Sequence, residues 1–230
     1  VFELEINYQD ASTYSVFLPA YSMIGAPIVK TEEKMDIKDK DFGITIAGVN
    51  SLFPAGDARR EAYFYHLDDP EWQEAGLAYL YKWRYARYGA SVAGEVWLKG
   101  MDVNRVIFRL ADMYLLRAEC RVKMNDPAGA KADLNVIRDR AEAKLWPAEG
   151  DSGDLQYDIF KEREKELLYE GHRYYDVVRN GYWKTELQGG FNDLSVEDVK
   201  DGALYLPVPQ TAFSQNDLMI QNTFWASKMK

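Results

Sequence analysis

The sequence predicts a mainly α protein with tetratricopeptide-like helical hairpins, preceded by an irregular, aromatic-rich region of loops and short strands. Three observations predict it. Small and apolar residues recur at helical spacing on both sides of Asn125-Asp126-Pro127. Residues 1–100 are instead rich in Gly, Pro and aromatic side chains, with short runs of period two. The composition, 47% hydrophobic and 28% charged over 230 residues, belongs to a chain long enough to bury a real core.

In chain order, Phe2-Glu3-Leu4-Glu5-Ile6 alternates as a half-buried strand does. Tyr79, Tyr81, Trp83 and Tyr85 alternate with Leu80, Lys82 and Arg84, which on a strand puts four rings on one face. Pro54-Ala55-Gly56-Asp57 and Asp68-Asp69-Pro70 mark loops. Arg105 to Met124 predicts a helix with Ala111, Leu115, Ala118 and Val122 on one face. Arg109 with Asp112, and Glu119 with Lys123, are its expected surface pairs, and Cys120 is expected to be a buried, inert thiol. Asp126 then caps, and Pro127 opens, a second helix with Ala130, Leu134, Ile137 and Ala141 inward. The small Ala118 and Ala130 let the two helices meet closely as an antiparallel pair. One such pair cannot cover its own faces, so further helices are expected to pack on it.

A third helix is expected over 155–170, capped by Asp154 and broken at Gly171. A fourth runs from Arg173 to Arg179 and stops at Asn180-Gly181. Residues 182–200 read as a loop with one helical turn. Leu204 to Pro209 reads as extended, because a residue before proline is pushed out of the helical region. The organisation expected is a loop and short-strand ligand-binding region over 1–100 and a helical region over 101–230, together one domain.

Charge and residue counts exclude several functions. Twenty-eight basic against 37 acidic side chains leave a net charge of −9, the wrong sign for a general nucleic-acid binder or an anionic-lipid surface. A single cysteine, Cys120, excludes an intramolecular disulfide framework, and two histidines leave little for histidine-based metal or catalytic sites. No cofactor is expected. The one calcium hint is Asp36, Asp39 and Asp41 before Gly43, which misses the EF-hand spacing; Asp193, Glu197, Asp198 and Asp201 form a second acidic cluster. The longest uncharged stretch, Ala11 to Val29, carries two prolines and a glycine and does not read as a membrane span.

Two constellations remain. Glu162, Arg163, Glu166, Glu170, Arg173, Asp176 and Arg179 are spaced by three and four residues. They read as an ion-pair lattice tying helices together; the catalytic alternative is an acid and base pair at Glu166 and Glu170. Between Tyr63 and Trp97, 10 of 35 residues are aromatic, against 14% in the whole chain. Flat rings suit sugar faces, with nearby Asp, Asn and Arg bonding the hydroxyls; the same rings also suit a core. Trp72, Trp97 and Tyr88, beside loop residues, are the candidate platforms, with Asp68, Asp69 and Asn104 as hydroxyl partners.

Ordered motifs then run through nearly the whole chain. Arg109-Leu110-Ala111-Asp112, Leu115-Leu116 and Ala118-Glu119 are followed by Leu134-Asn135, Ile137-Arg138 and Arg140-Ala141. Glu162-Arg163, Glu166-Leu167, Glu170-Gly171, Arg173, Asp176 and Arg179 come next, then Leu206-Pro207-Val208-Pro209, Asn216 and Gln221-Asn222. Upstream stand Phe2-Glu3-Leu4 and Asp57-Ala58-Arg59. This pattern resembles the SusD/RagB family, with Ala58 standing where the family carries proline. The resemblance implies an outer-membrane lipoprotein on the extracellular face, without catalysis. It implies capture of oligosaccharides, or of peptides in some branches, as the lid of a SusC-like TonB-dependent transporter. Members are about twice this length, so the chain is expected to be a C-terminal half, with the signal peptide, lipidated cysteine and earlier helices in the remainder. Ligand residues of the family sit in divergent loops, so none is carried over by motif.

Overall fold

Among the described residues, short strands and two small helices precede the long helices. The computed structural model describes residues 2–4, 28–31, 34–36, 44–65, 67–68, 76–82, 86–90, 96–101, 104–214, 216 and 218–228. They fall into two compact units, Val1–Gly171 and His172–Lys230. The compositional boundary near residue 100 lies inside the first.

In that first unit the elements are β1 (Phe2–Leu4), β2 (Ile28–Thr31), β3 (Lys34–Asp36), β4 (Ile44–Thr45), α1 (Ile46–Leu52), α2 (Arg59–Tyr63) and β5 (Phe64–Tyr65). They continue as β6 (Leu77–Leu80), β7 (Ala86–Ala90), β8 (Val96–Met101), β9 (Arg105–Phe108), α3 (Leu110–Lys123), α4 (Pro127–Arg140) and α5 (Leu155–Glu166). Among the described residues all strand pairing is antiparallel: β1 with β9, β2 with β3, β7 with β8, and a three-stranded sheet in the order β4-β6-β5.

Two expectations about boundaries are corrected here. The helix does not begin at Arg105. Residues 105–108 pair with Phe2–Leu4, and Phe2 and Phe108 stack at 6.4 Å. The pair of β-branched residues Val106-Ile107 favours a strand once a partner edge is present. The alternating aromatic run is not one strand either: β6 ends at Leu80, and residues 83–85 lie outside those described.

The hairpin of α3 and α4 forms as its spacing predicts. Asp126 accepts from the Gly129 amide at 2.9 Å, and Pro127 opens α4, where its missing N–H costs nothing. Leu115, Ala118, Ala130 and Leu134 are fully buried in one cluster with Ala111, Ile137 and Ile159. Each large aliphatic there contributes about 1.5–3 kcal/mol by leaving water. Cys120 is exposed, a correction: α3 turns Leu115, Ala118 and Glu119 inward, which leaves position 120 on the outer face with Met113 and Met124. α5 is capped by Asp154, which accepts from Gln156 and Tyr157, and supplies Ile159 and Phe160 to the interior. It ends at Glu166, four residues before its expected end; Tyr169 and Gly171 adopt left-handed φ of 63° and 87°. A second cluster, Val49, Phe53, Phe64, Leu67 and Ala78, takes Leu168 and Tyr169 against it. The end of α5 thus stands between the strand region and the hairpin.

The second unit holds α6 (Arg173–Asn180), α7 (Trp183–Glu186), a 3-10 turn at Gly189–Phe191, α8 (Val196–Lys200), α9 (Gln210–Phe213) and α10 (Thr223–Lys228). Gly181 stops α6 in the left-handed conformation, as its position predicts. Residues 182–200 hold more helix than the single turn expected, with Ser195 and Asp198 closing a capping box on α8. Gln221 brackets Val208 with two hydrogen bonds, 3.2 and 3.0 Å, which holds the proline-rich stretch to the tail.

Candidate functional site

The acidic face of α5 and the turn that follows it gather five cations from other elements. Each arrives for a local reason. Gly56, at φ 93°, turns the chain so that Asp57 precedes α2. Asp57 accepts from the Arg59 amide at 3.1 Å and grips its guanidinium at 2.9 and 2.7 Å. Arg59, only 4% exposed, then reaches Glu162 at 2.7 Å and Glu166 at 3.2 Å. Arg109 sits at the strand-to-helix junction before α3 and bonds Glu170 at 2.8 and 2.7 Å, and Glu166. Lys82, just beyond β6, bonds Glu170 and lies 4.2 Å from the Tyr63 ring centre. Arg140, in the last turn of α4, donates to Glu166 from a side chain 55% exposed. Arg138 joins Glu162 at 2.8 Å to Asp151 at 2.8 and 2.9 Å.

The same groups finish the helix. Carbonyls in the last turn of an α-helix lack internal partners and sit at its negative end. The Glu166 carbonyl accepts from the Tyr63 hydroxyl at 3.0 Å, Lys82 at 3.3 Å and Arg109 at 2.6 Å. Lys82 also caps the Leu168 carbonyl at 3.0 Å.

Electrostatics follow from burial against pairing. Burial opposes ionisation of Glu166, but Arg109 and Arg140 outweigh it and hold the carboxyl down at about 2. Glu170 is likewise below its ordinary value, with Arg109 and Lys82 overcoming burial. Lys82 is lowered by burial in spite of Glu170. Tyr63 is raised, by burial first and Glu166 second. A general acid needs a carboxyl held protonated near neutral pH. Glu166 and Glu170 are instead held ionised, with every carboxylate oxygen accepting from a cation.

Beside it opens a cavity of about 430 Å³, within the size range of small-ligand sites. Arg59, Tyr63, Lys82, Arg109, Arg140, Glu166 and Glu170 supply its polar wall, and Ala58, Ala62, Val106 and Ala141 the apolar part.

Other surface and helix-to-helix pairs differ from expectation. Arg109 pairs with Glu166 and Glu170 and not with Asp112. Asp112 and Glu119 are buried on Arg163, at 2.7 and 3.6 Å. Arg173 pairs with Glu186 and Arg179 with Asp176, so within the second unit these charges have partners of their own. Local spacing of three and four suggests intrahelical partners; the deep carboxylates of α5 instead took cations from other elements.

Of the candidate ligand residues, Asp68 and Asn104 are not among those that line this cavity. Trp72 and Asp69 lie outside the described residues. Tyr88 and Trp97 are on the paired strands β7 and β8, where Tyr88 faces Leu98 and Gly89 faces Trp97 in register. Asp68 is exposed and held by Arg60 at 2.8 and 3.0 Å. Asn104 donates to Glu3 at 2.9 Å. Of the acidic loops, Asp39 and Asp41 lie outside the described residues, and Asp198 serves the α8 cap. Among the described residues no group of three His, Cys, Asp or Glu side chains is placed to hold a metal ion. Among them, too, no helix is long and apolar enough to cross a membrane. Sequence reasoning missed Lys82 and Arg140 as lattice members, because their partners are 88 and 26 residues away.

The sequence model of the SusD family matches residues 74–225, most of the chain. The chain belongs to the SusD family. A SusD-like protein of Formosa agariphila is 34% identical over 128 residues, covering 52% of this chain and 24% of its own. The starch-binding protein SusD of Bacteroides thetaiotaomicron is 26% identical over 221 residues, covering 89% of this chain and 37% of its own. The crystal structure of a SusD homolog from Bacteroides thetaiotaomicron superposes with a TM-score of 0.72 at 25% identity, covering 98% of this chain and 46% of that one. The chain therefore spans less than half the length of these SusD relatives. The mainly α architecture with short strands is the SusD-like fold of that structure.

Proposed function

We propose that this chain is part of a non-catalytic protein that binds oligosaccharide nutrients at the cell surface. The observation that carries the reading is the match, over 89% of the chain, to a protein that binds starch. The lattice supports it from the chemical side. Its buried carboxylates are fully committed to cations, which argues against a glycosidase built on Glu166 and Glu170.

In this reading the protein is an outer-membrane lipoprotein on the extracellular face and hands its ligand to a SusC-like TonB-dependent transporter. Trp72, Trp97 and Tyr88 are the stacking platforms, and Asp68, Asp69 and Asn104 bond sugar hydroxyls. An indole offers a flat face to sugar C–H groups, and its burial by a ring contributes about 1–3 kcal/mol. The test is calorimetric titration of the full protein with a panel of oligosaccharides, wild type against Trp72→Ala and Trp97→Ala, beside an assay for reducing ends. Affinity is expected to fall in at least one variant, with no reducing ends released. Equal affinity in all three proteins removes these residues from the site, and turnover of any glycan overturns the non-catalytic reading.

A further inference from the structure

We propose that the cavity beside α5 anchors an acidic group, the carboxylate or sulfate ester of a charged sugar, with Arg140 as its recognition residue. The inference rests on the glycan-binding reading above and names a substrate class within it.

The argument is one of position. Four cations line the cavity against two carboxylates, although the chain as a whole carries −9. The acids that balance Arg59, namely Asp57 and Glu162, do not line the cavity and are 5% and 1% exposed. The two carboxylates that do line it have their oxygens occupied by Arg59, Lys82, Arg109 and Arg140. An arriving anion therefore meets donors ahead of unpaired acceptors.

Arg140 supplies those donors. Among the described residues its one bond is from Nη2 to Glu166, and its side chain is 55% exposed. A guanidinium carries five N–H donors in a planar fork suited to carboxylate and sulfate oxygens. Nε and Nη1 are left to a ligand. Lys82, by contrast, has three acceptors for its three donors and is spent on the helix end. The apolar wall of Ala58, Ala62 and Ala141 keeps side chains short beside Arg140, leaving room for the ring that carries the acid.

The test titrates the full protein with tri-galacturonate, its trimethyl ester, a sulfated galactan disaccharide and sodium sulfate. The ester keeps the sugars and removes the charge. At least one acidic saccharide is expected to bind about tenfold more tightly than the ester, with affinity falling as salt is raised. Arg140→Gln is expected to abolish that preference while melting close to wild type, since Glu166 keeps Arg59 and Arg109. Arg117→Gln, which removes another half-exposed guanidinium on α3, is expected to leave it intact. Equal binding of acid and ester, or an unchanged preference in Arg140→Gln, overturns the proposal. Sulfate alone binding as tightly as the sulfated disaccharide also overturns it, since the site then recognises a free anion. Binding of neutral glycans without charge preference defeats this inference and leaves the glycan-binding reading standing; binding of no glycan defeats both.

Discussion

Arg109 shows how much a single side chain holds. It satisfies Glu166, Glu170 and the terminal carbonyl of α5, while remaining 18% exposed itself. Replacing it by Ala strands buried charge, so Arg109→Ala is expected to cost about 3–5 kcal/mol, read as a lower urea midpoint. Arg173 belongs to the same charged motif in sequence but pairs with Glu186 at a side-chain exposure of 32%. Arg173→Ala is expected to cost only about 1 kcal/mol or less. A larger loss at Arg173 than at Arg109 would contradict this ranking. Sequence alone does not separate the two, because both are arginines within reach of glutamates; what differs is how deep their partners lie.

At the scale of elements, the α3–α4 hairpin depends on two alanines. Ala118 and Ala130 are fully buried in the shared cluster. Ala118→Leu is expected to destabilise by about 1–3 kcal/mol through overpacking, whereas Leu115→Ala is expected to cost about 2–5 kcal/mol through the cavity it leaves. Thermal melts of the two variants check both values. The hairpin was legible beforehand because its signals are local: apolar spacing, the Asp126 cap and Pro127. The start of α3 was not, because residues 105–108 become a strand only through pairing with residues about a hundred positions earlier.

For the molecule as a whole, the lattice makes stability depend on acid. Glu166 is lowered from 4.5 to about 2, and Glu170 is lowered too. The folded state therefore binds fewer protons than the unfolded chain between those values. This contribution to stability is complete above about pH 4.5 and is lost as pH falls towards 2. A denaturation series from pH 6 to pH 2.5 is expected to show stability dropping through that window. In Glu166→Gln the drop is expected to be shallower from a lower starting stability; an equal slope in both proteins removes Glu166 as its source.

The sequence by itself determined the helical hairpin, the caps and stops of its helices, and the family resemblance. Helical spacing, caps at Asp126 and Asp154 and the stop at Gly181 act within a few residues, so they read out from order alone. So did the resemblance carried by the ordered motifs. Only the tertiary structure decided what the charges do. Glu166 has its cations at positions 59, 109 and 140, brought together by a turn, a strand edge and a helix end. No local spacing encodes that meeting. It is set by which carboxylates the packing buries, since a buried charge must find its partner wherever the fold supplies one.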